Sequence, residues 1–587
     1  MEIHEERSGE GISRRGFLAS ASVSAAAVAA LAGLSRDAEA FESATVQPET
    51  NDDEAAAIST EDIAAVERVM ALGFRAGDRE AVAASATRQR DGFERRRAST
   101  DLDRHPSEVF RVLGEPEIGN ALDAGRGVVA PTMASAGSPV SPPDDDEDLA
   151  FAPAWKQADW IRTRRLTSER LTRVYLDRIE RLGPRLECVV TATPELAIEQ
   201  ARRADRDLAN GRYRGPLHGL PYGAKDLFDT AGISTTYGAE PYRERVPERT
   251  AVVIERLERA GAVLACKTTL GALAYGDIWF GGRTRNPFDL SQGSSGSSAG
   301  SSSGVVAGLF SFSLGTETLG SIVSPSMRCG AAGIRPTFGR VARTDSMELC
   351  WSLDKIGPIC RTIADAALVL SVINGADAGD PSSVDAPFDC DLTRDAYGLR
   401  VGYRPEWFEG RGATEHDTAA LAAVRDAGCE LVEIDYEYQE NFGALRTILN
   451  VEAAAAFEEL TLSGRDEMLK WQQPQAWPNT FRSAWMVPAI ELIQAQRIRR
   501  AACEYWDDQL ARHGVDAVVA PSFAAGLLLL TNFTGTPCAV VRTGFRSETR
   551  PHGITVWGRS FGEAAAVKVA HEIERRLGAW ETRPPIS

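Results

Sequence analysis

The stretch GSSGSSAGSSSGVVAGLFSFSLGTETLGSIVSP, residues 293–325, decides how this chain folds. Seven of the eleven residues at 294–304 are serine and three are glycine, which alone is typical of a flexible linker. The apolar segment 305–314 follows directly, however, and it needs burial. It leads into a second turn of glycine and hydroxyl residues, GTETLGSI at 315–322. Two serine-bearing turns joined by a buried segment indicate a nucleophile site, because small residues let backbone N–H groups approach a substrate.

Five segments, in order along the chain, carry a family resemblance. PLHGLPYGAKDLFDTAGISTTYGA at 216–239 contains a lysine, and SGSSAG at 295–300 and GTETLGSIVSP at 315–325 contain the serines. GIRPTFGRV at 333–341 and LDKIGPICRT at 353–362 follow. Together they resemble the amidase signature family, serine hydrolases that use a Ser, cis-Ser, Lys triad. The resemblance implies an α/β fold with a large mixed β-sheet core covered by helices.

The resemblance also implies three catalytic residues. Ser321 occupies the nucleophile position, Ser297 the bridging position that in the family lies on a cis peptide, and Lys225 the base position. A serine that attacks an amide needs a base to take its proton and an acid to protonate the departing amine. A lysine acts as a base only when neutral, and burial favours the neutral form. We therefore expect Lys225 to be buried and Ser297 to relay protons between it and Ser321.

An oxyanion hole is implied in the turn that carries the nucleophile, formed by the backbone N–H groups of Thr318, Leu319, Gly320 and Ser321. Two residues depart from the family pattern: Leu319 replaces the first glycine of a pair, and Val323 replaces an arginine. A leucine does not easily take a positive φ, and its bulk beside the scissile carbonyl narrows the acyl pocket. These departures leave open an inactive relative that binds amides without turnover.

Three nearby polar residues have simpler interpretations. Asp226 is expected to orient the loop after the lysine, Glu317 is expected to be structural, and His218 occupies a family position that belongs to a turn. A Ser-His-Asp hydrolase is the poorer account, because the chain has only seven histidines and no Gly-x-Ser-x-Gly elbow followed by a suitable acid and histidine.

Composition argues against several classes of protein. The formal net charge of -18 and the pI near 5.1 describe a surface that repels phosphate backbones, so nucleic acid is not an expected partner. Nine cysteines without a CxxC pair argue against a zinc ribbon or a disulfide scaffold, and most are expected to be buried thiols. No Walker-type or dinucleotide-binding glycine motif is present, and neither a cofactor nor a metal ion is expected.

The N-terminus predicts export. SRRGFL at 13–18 starts an uncharged run at 16–35, rich in Ala, Val and Leu, which precedes Ala38-Glu39-Ala40. This resembles a twin-arginine signal that is cleaved after Ala40. Retention as a membrane anchor is the weaker alternative, because the run is barely long enough to span a bilayer and is mostly alanine and serine. The expected location is periplasmic or extracellular, with the twin-arginine translocase as a partner during export.

Changes in composition divide the chain into four parts. Residues 1–40 form the signal, and residues 41–113 begin with a polar, disordered stretch and continue as a helical extension. Residues 114–149, rich in Gly, Pro, Ser and Asp, are interpreted as a linker. Residues 150–587 form the main domain, which contains the whole resemblance.

The helical extension is expected to begin at a capped helix. Ser59 or Thr60 caps it, and Ile63, Val66 and Met70 share one face. A second helix follows. The extension either covers an edge of the main domain or forms a homodimer contact.

The main domain shows the pattern of a layered α/β protein. A helix is predicted over residues 168–182, with an apolar stripe of Leu171, Val174, Tyr175 and Ile179. Short apolar runs alternate with helical stretches, at residues 188–191, 262–266 and 515–520. Later aromatic residues either line a substrate pocket or, more commonly, pack in the core: Trp471, Trp477, Phe481 and Trp485, with Met486 beside them.

Three functions remain open at this stage. The leading one is an exported amidase that hydrolyses a linear carboxamide through an acyl-enzyme on Ser321 and releases ammonia or an amine, with peptide or aryl amides as substrates. The second is the amidase component of a tRNA-dependent amidotransferase, which hydrolyses the glutamine amide with partner subunits; the export signal and the acidic charge count against it. The third is the inactive amide-binding relative.

Overall fold

The computed structural model describes residues 57–99, 141–409, 412–521, 524 and 526–586. The predicted signal, the polar stretch before residue 57 and most of the predicted linker lie outside the described residues. The described residues belong to one compact unit, Ala56–Ser587. No helix within these described ranges has the length and apolar character needed to cross a bilayer.

Helices account for much of the described chain. In chain order they are α1 (Thr60–Met70), α2 (Arg79–Ser99), α3 (Asp146–Phe151), α4 (Ala154–Arg162), α5 (Ser168–Leu186), α6 (Pro194–Ala209), α7 (Val252–Arg259), α8 (Ala299–Val306), α9 (Val323–Cys329), α10 (Ile363–Ile373), α11 (Pro405–Glu409), α12 (Glu415–Asp426), α13 (Arg446–Ala456), α14 (Glu458–Leu462), α15 (Trp477–Ala484), α16 (Ala489–His513), α17 (Leu527–Phe533) and α18 (Glu563–Leu577).

The strands alternate with these helices. They are β1 (Val189–Ala192), β2 (Pro221–Lys225), β3 (Val263–Thr268), β4 (Ile278–Trp279), β5 (Gly282–Arg283), β6 (Arg285–Asn286), β7 (Asp289–Gly293), β8 (Phe312–Glu317), β9 (Ala332–Arg335), β10 (Lys355–Cys360), β11 (Arg400–Tyr403), β12 (Glu430–Glu433), β13 (Ala517–Pro521), β14 (Cys538–Ser547) and β15 (Arg550–Gly558). β4 pairs with β5 and β6 with β7 as small separate ribbons.

One mixed sheet of eleven strands forms the centre of the fold, in the order β1-β3-β2-β8-β10-β9-β14-β15-β13-β11-β12. β2 runs parallel to β3 and β8, and β11 runs parallel to β12 and β13. The other pairs are antiparallel. Every residue of β2, β3, β8, β9, β10 and β13 is buried, as expected where helices cover both faces. The predicted fold class is confirmed.

Helix α5 shows how the sequence pattern becomes packing. The Thr167 hydroxyl caps its first turn by accepting a hydrogen bond from Arg170 N. All four residues of the predicted stripe are buried, which contributes about 1.5–3 kcal/mol for each large apolar side chain. The helix ends at Leu186, four residues beyond the predicted end, where Glu187 takes a left-handed conformation.

The N-terminal extension is a helical pair with its own small core. The predicted cap is present: Ser59 and Asp62 form a capping box at the start of α1. Ile63 packs against α2, but the prediction that Met70 shares this buried face is wrong, because Met70 is 44% exposed. Glu67 is buried in its place, where its carboxylate accepts hydrogen bonds from the N–H of Phe74 and from Arg79. The chain turns back at this point and supplies donors that periodicity does not reveal.

The first helix of the main domain begins slightly before the predicted boundary at residue 150. Asp145, from the acidic run at the end of the predicted linker, caps α3 by accepting a hydrogen bond from Asp148 N. Acidic residues in a first helical turn also interact favourably with the helix dipole.

The parallel pair β2 and β8 positions the candidate site. Lys225 is the last residue of β2, and the turn at residues 318–321 directly follows β8. Because the carboxyl ends of neighbouring parallel strands meet at one edge of a sheet, the lysine and the turn lie side by side. The serine-rich segment enters the same edge just before α8.

Candidate active site

Lys225 is fully buried, and its amino group contacts only neutral oxygens. Nζ lies 2.8 Å from Ser297 Oγ, 2.8 Å from Thr316 Oγ1 and 3.1 Å from Ser298 Oγ. Burial lowers the pKa of Lys225 to about 7, although the carboxylates of Asp354 and Glu317 nearby favour the charged form. A large fraction of the lysine is therefore a neutral amine near neutral pH, as a base requires.

Ser297 reaches this lysine because of the backbone before it. The Gly296–Ser297 peptide bond is cis. A Cβ built on Gly296 would lie 1.8 Å from the carbonyl oxygen of Gly276, so only glycine fits here. The structure thus brings Ser297 and Lys225 together as the resemblance implied, and Ser297 itself is 1% exposed.

Ser321 lies beside this pair and nearer to solvent. Its carbonyl oxygen accepts a hydrogen bond of 3.1 Å from the N–H of Ser298, which joins the two serine-bearing turns. Ser321 is 8% exposed, whereas Lys225 is completely buried. A substrate can therefore contact Ser321 while the lysine stays away from water.

The turn after β8 presents four backbone N–H groups with no acceptor among the described residues: those of Thr318, Leu319, Gly320 and Ser321. The next two N–H groups, of Ile322 and Val323, donate to Glu317 Oε2 at 2.8 and 2.9 Å. The four groups predicted to bind an oxyanion are therefore available for a ligand, and the groups beyond them are already used.

The departure at Leu319 does not distort this turn. The positive φ of 90° belongs to Gly320, the second residue of the family's glycine pair, and not to Leu319. A Cβ on Gly320 would lie 3.2 Å from Leu528, which shows that α17 packs directly on the turn. Leu319 is only partly buried against the main core, so its side chain borders the open side of the site.

Glu317 supports the turn from below, in line with its predicted structural role. Its carboxylate accepts the two N–H groups described above, and Oε1 also accepts from Arg335 at 3.0 Å and from Asn532 at 2.9 Å. Burial opposes ionisation of Glu317, but the Arg335 guanidinium and the N–H donors hold its pKa below the usual value. Arg335 supplies the cation on a chain that has Val323 where the family pattern has arginine.

Sequence reasoning missed the role of Asp354. One carboxylate oxygen accepts a 2.6 Å hydrogen bond from the Thr318 hydroxyl, and the other accepts from the N–H groups of Leu349 and Cys350. Asp354 therefore fastens the oxyanion turn to the loop at residues 346–352. Its segment, LDKIGPICRT, was recognised as a motif, but no residue within it indicated this contact. Ser298 and Thr316, the other two partners of Lys225, were missed in the same way.

The residues expected to be structural are structural. Asp226 Oδ2 accepts from the N–H of Thr236, and Asp226 Oδ1 lies 3.3 Å from the amine of the buried Lys267. Lys267 also donates to the carbonyl of Phe228 at 2.8 Å, so the pair holds the loop that follows Lys225. His218 donates from Nε2 to the carbonyl of Ala204, in a turn outside the site.

A cleft starts at the oxyanion turn. Thr316 and Thr318 line one end, and the loop at 346–349 covers it. The wall is mainly apolar, formed by Leu227, Ala274, Met347, Leu349 and Ile356. Such a wall suits an uncharged group better than a carboxylate.

Of the aromatic residues singled out from the sequence, two pack in the core and one lies at the cleft. Trp477 and Phe481 are buried and stack with ring centroids 5.0 Å apart. Trp471 is half-buried and packs on Tyr275 at 4.9 Å, next to Gly276. Since Gly276 contacts Gly296, this Trp471–Tyr275 pair stands beside the serine loop.

Comparisons with known proteins agree with this geometry. The sequence model of the amidase family matches residues 170–567. The putative amidase AmiD of Mycobacterium tuberculosis (strain ATCC 25618 / H37Rv) is 33% identical over 492 residues, which cover 77% of this chain and 100% of that protein. A glutamyl-tRNA(Gln) amidotransferase component, the amidase-like subunit of Carboxydothermus hydrogenoformans, is 29% identical over 487 residues, which cover 75% and 100%. The solved structure of native peptide amidase from Stenotrophomonas maltophilia superposes with a TM-score of 0.65 and 29% identity, over 74% of this chain and 98% of that one.

Proposed function

The chain belongs to the amidase signature family of hydrolases that act on carbon–nitrogen amide bonds, and on that premise we propose that it hydrolyses a linear carboxamide through an acyl-enzyme on Ser321. The observation that carries the proposal is the buried contact of 2.8 Å between Lys225 and Ser297, with Ser321 beside it. A neutral amine in contact with a relay hydroxyl is what a serine nucleophile needs at neutral pH.

The proposed reaction uses each group in turn. Ser297 passes a proton to neutral Lys225 and takes one from Ser321, whose oxygen forms a bond to the carbonyl carbon. The carbonyl oxygen becomes an oxyanion that accepts hydrogen bonds from the free N–H groups of the turn. The proton returns through Ser297 to the leaving nitrogen as the C–N bond breaks. Water then attacks the ester by the same relay, which releases the carboxylic acid and restores Ser321.

The amidotransferase component remains the alternative, because this chain is also similar to such proteins. The net charge of -18 and the predicted export signal favour a free amidase, since an acidic surface opposes binding of a charged tRNA. Release of ammonia from simple amides by the purified chain supports the free amidase. Activity that requires glutamine, partner subunits and charged tRNA would support the alternative.

The test of the active site is covalent labelling of the purified protein with a fluorophosphonate, followed by peptide mass spectrometry. We expect one adduct, on Ser321, and its loss in Lys225→Met. Ser291→Ala, which changes an exposed serine outside the site, is the matched control and should label like the wild type. A folded protein that takes no label contradicts the proposal and favours the binding-only relative.

We also propose that the protein is exported through the twin-arginine pathway and cleaved after Ala40, on the basis of SRRGFL at 13–18 and the apolar run that follows. Nine free cysteines, eight of them buried, suit a protein that folds before export. The test is Arg14→Lys/Arg15→Lys in the full chain. Fractionation should show an uncleaved protein retained in the cytoplasm, and unchanged export would contradict this route.

A further inference from the structure

The helical pair α1–α2, residues 57–99, lies outside the family match yet packs against the main domain. Its contacts concentrate on α15 and on the start of α16. Asn479 donates to Ser85 Oγ at 3.0 Å, and Gln89 donates to the carbonyl of Ser483 at 3.3 Å. The extension therefore covers one face of α15, and this answers the question that the sequence left open: it covers an edge of the main domain.

Ion pairs reinforce the same contact. Arg482, in α15, lies 3.0 Å from Asp78 of the extension and 2.7 Å from Asp466 of the main domain, and it is 6% exposed. Arg96 pairs with the buried Glu491 at 2.7 Å. Pairs shielded from solvent in this way depend strongly on both partners.

The opposite face of α15 contacts the wall of the cleft. The indole N–H of Trp477 donates to the carbonyl of Leu273 at 2.9 Å, and its ring lies 5.0 Å from that of Tyr275. Tyr275 in turn packs on Trp471. These three aromatic residues hold the segment at 273–276, which we call the aromatic wall.

The aromatic wall touches the catalytic loop directly. Ala274 lines the cleft together with Thr316 and Thr318. The carbonyl of Gly276 packs against Gly296, the residue before Ser297. A shift of α15 would therefore move groups that line the cleft without touching the contact between Lys225 and Ser297.

We propose that the helical pair at residues 57–99 positions the aromatic wall through α15 and so sets the affinity of the cleft for substrates with aromatic acyl groups; this rests on the proposed amidase function. Helix α15 has only eight residues, and a helix that short has no stable orientation without packing on both sides. The extension supplies one side and the wall is the other.

The first test needs no activity. Hydrogen exchange is measured on the full chain of the wild type and of Asp78→Ala/Ser85→Ala, which removes two contacts to α15. We expect faster exchange in peptides covering 271–277 and 477–484, and unchanged exchange in peptides covering the buried strand β2. Glu80→Gln, an exposed residue of α2, is the matched control and should change nothing. Faster exchange confined to residues 57–99, or none, overturns the proposal.

The second test separates binding from chemistry by ammonia release from 3-phenylpropanamide and propanamide, which differ by one phenyl group. For Asp78→Ala/Ser85→Ala we expect KM for 3-phenylpropanamide to rise about three- to tenfold, which corresponds to about 0.7–1.4 kcal/mol, with kcat for propanamide within about twofold. An equal loss for both amides reflects general destabilisation and overturns the proposal.

A variant within the wall tests the same path from the other side. Trp477→Phe keeps the ring stacking but removes the hydrogen bond to Leu273, so it should reproduce the rise in KM for the phenyl substrate. An unchanged KM overturns the proposal. If the wild type hydrolyses neither amide, the proposed function fails, and the exchange experiment alone decides the inference.

Discussion

The surroundings of Lys225 explain how a lysine can serve as a base. Within the described residues its amine contacts three hydroxyl oxygens and no carboxylate within ion-pair distance. Hydroxyl groups donate to a neutral amine as readily as they accept from an ammonium ion, so they do not hold the proton on the lysine. An adjacent carboxylate would raise the pKa and remove the base.

The pH dependence of the reaction should report this lysine. With a pKa of about 7 for Lys225, kcat/KM should rise about tenfold per pH unit below pH 6 and level off above pH 8. The measurement is kcat/KM for a neutral amide from pH 5 to pH 9, with circular dichroism at each pH as the control for folding. A flat profile down to pH 5 would exclude Lys225 as the base.

The same lysine should lower the stability of the fold. Its folded pKa of about 7 lies below its ordinary value of 10.5, so stability rises with pH between these two values and is lowest at and below pH 7. We expect Lys225→Met to be inactive but more stable than the wild type by about 1–3 kcal/mol at pH 6, with a gain that shrinks above pH 10. Urea unfolding at both pH values measures it. A variant less stable than the wild type at pH 6 would contradict this account.

Ser297 gives a complementary prediction. Ser297→Ala removes the relay, and kcat/KM for amides should fall by about a hundredfold to ten-thousandfold, because that is the range for general acid–base groups. The fold should persist, since the change deletes one oxygen at a site where Ser298 and Thr316 still contact the lysine. Ser291→Ala serves again as the control. An undiminished rate would remove Ser297 from the mechanism.

Sequence motifs could identify the residues of the site but not all of their contacts. Lys225, Ser297 and Ser321 were predicted because each belongs to a long ordered motif. The hydrogen bond from Thr318 to Asp354 was not, because it depends on the pairing of β8 with β10, which places Lys355 opposite Glu317. A register between strands far apart in the chain leaves no short-range pattern to read.

At the scale of elements, strand β8 and the turn after it depend on one buried ion pair. Glu317 and Arg335 lie on β8 and β9, both completely buried, and Glu317 also receives the N–H groups at the start of α9. A carboxylate in this position compensates the positive end of a helix as well as the guanidinium.

Glu317→Gln should therefore damage both stability and activity. The change leaves Arg335 as an uncompensated buried cation, which costs about 3–5 kcal/mol, and it loosens the oxyanion turn, so kcat should also fall. Unfolding in urea measures the first effect and ammonia release the second. Glu317→Gln/Arg335→Met should recover much of the stability. A single variant as stable as the wild type would show that the pair does not support the turn.

The elements themselves were predicted with uneven success, for physical reasons. Helix α5 was recognised because its stripe repeats with the period of a helix, and its extra turn was missed because Pro184 and the polar residues around it carry no apolar signal. Runs of buried strand were located as β1, β3 and β13 to within a few residues. The order of eleven strands was not predictable, since it is set by long-range packing.

At the scale of the whole molecule, the cysteines give a simple test of the folded state. Eight of the nine are buried and free, and Cys503 is half-buried in α16, where burial raises the pKa of its thiol. We expect a thiol reagent such as DTNB to modify at most one cysteine in the native protein and nine in guanidinium chloride. Fast reaction of several native thiols would contradict the described packing.

The different depths of the three catalytic residues also determine which reagents can inactivate the protein. Ser321 is at the cleft surface, while the lysine is sealed behind Ser297 and Thr316. Electrophiles that acylate hydroxyl groups will therefore block the protein, whereas aldehydes and activated esters that target amines will modify surface lysines and leave turnover intact. Selective covalent inhibitors for this chain should accordingly be built on serine-directed warheads, with an aromatic group to meet the Trp471–Tyr275 pair.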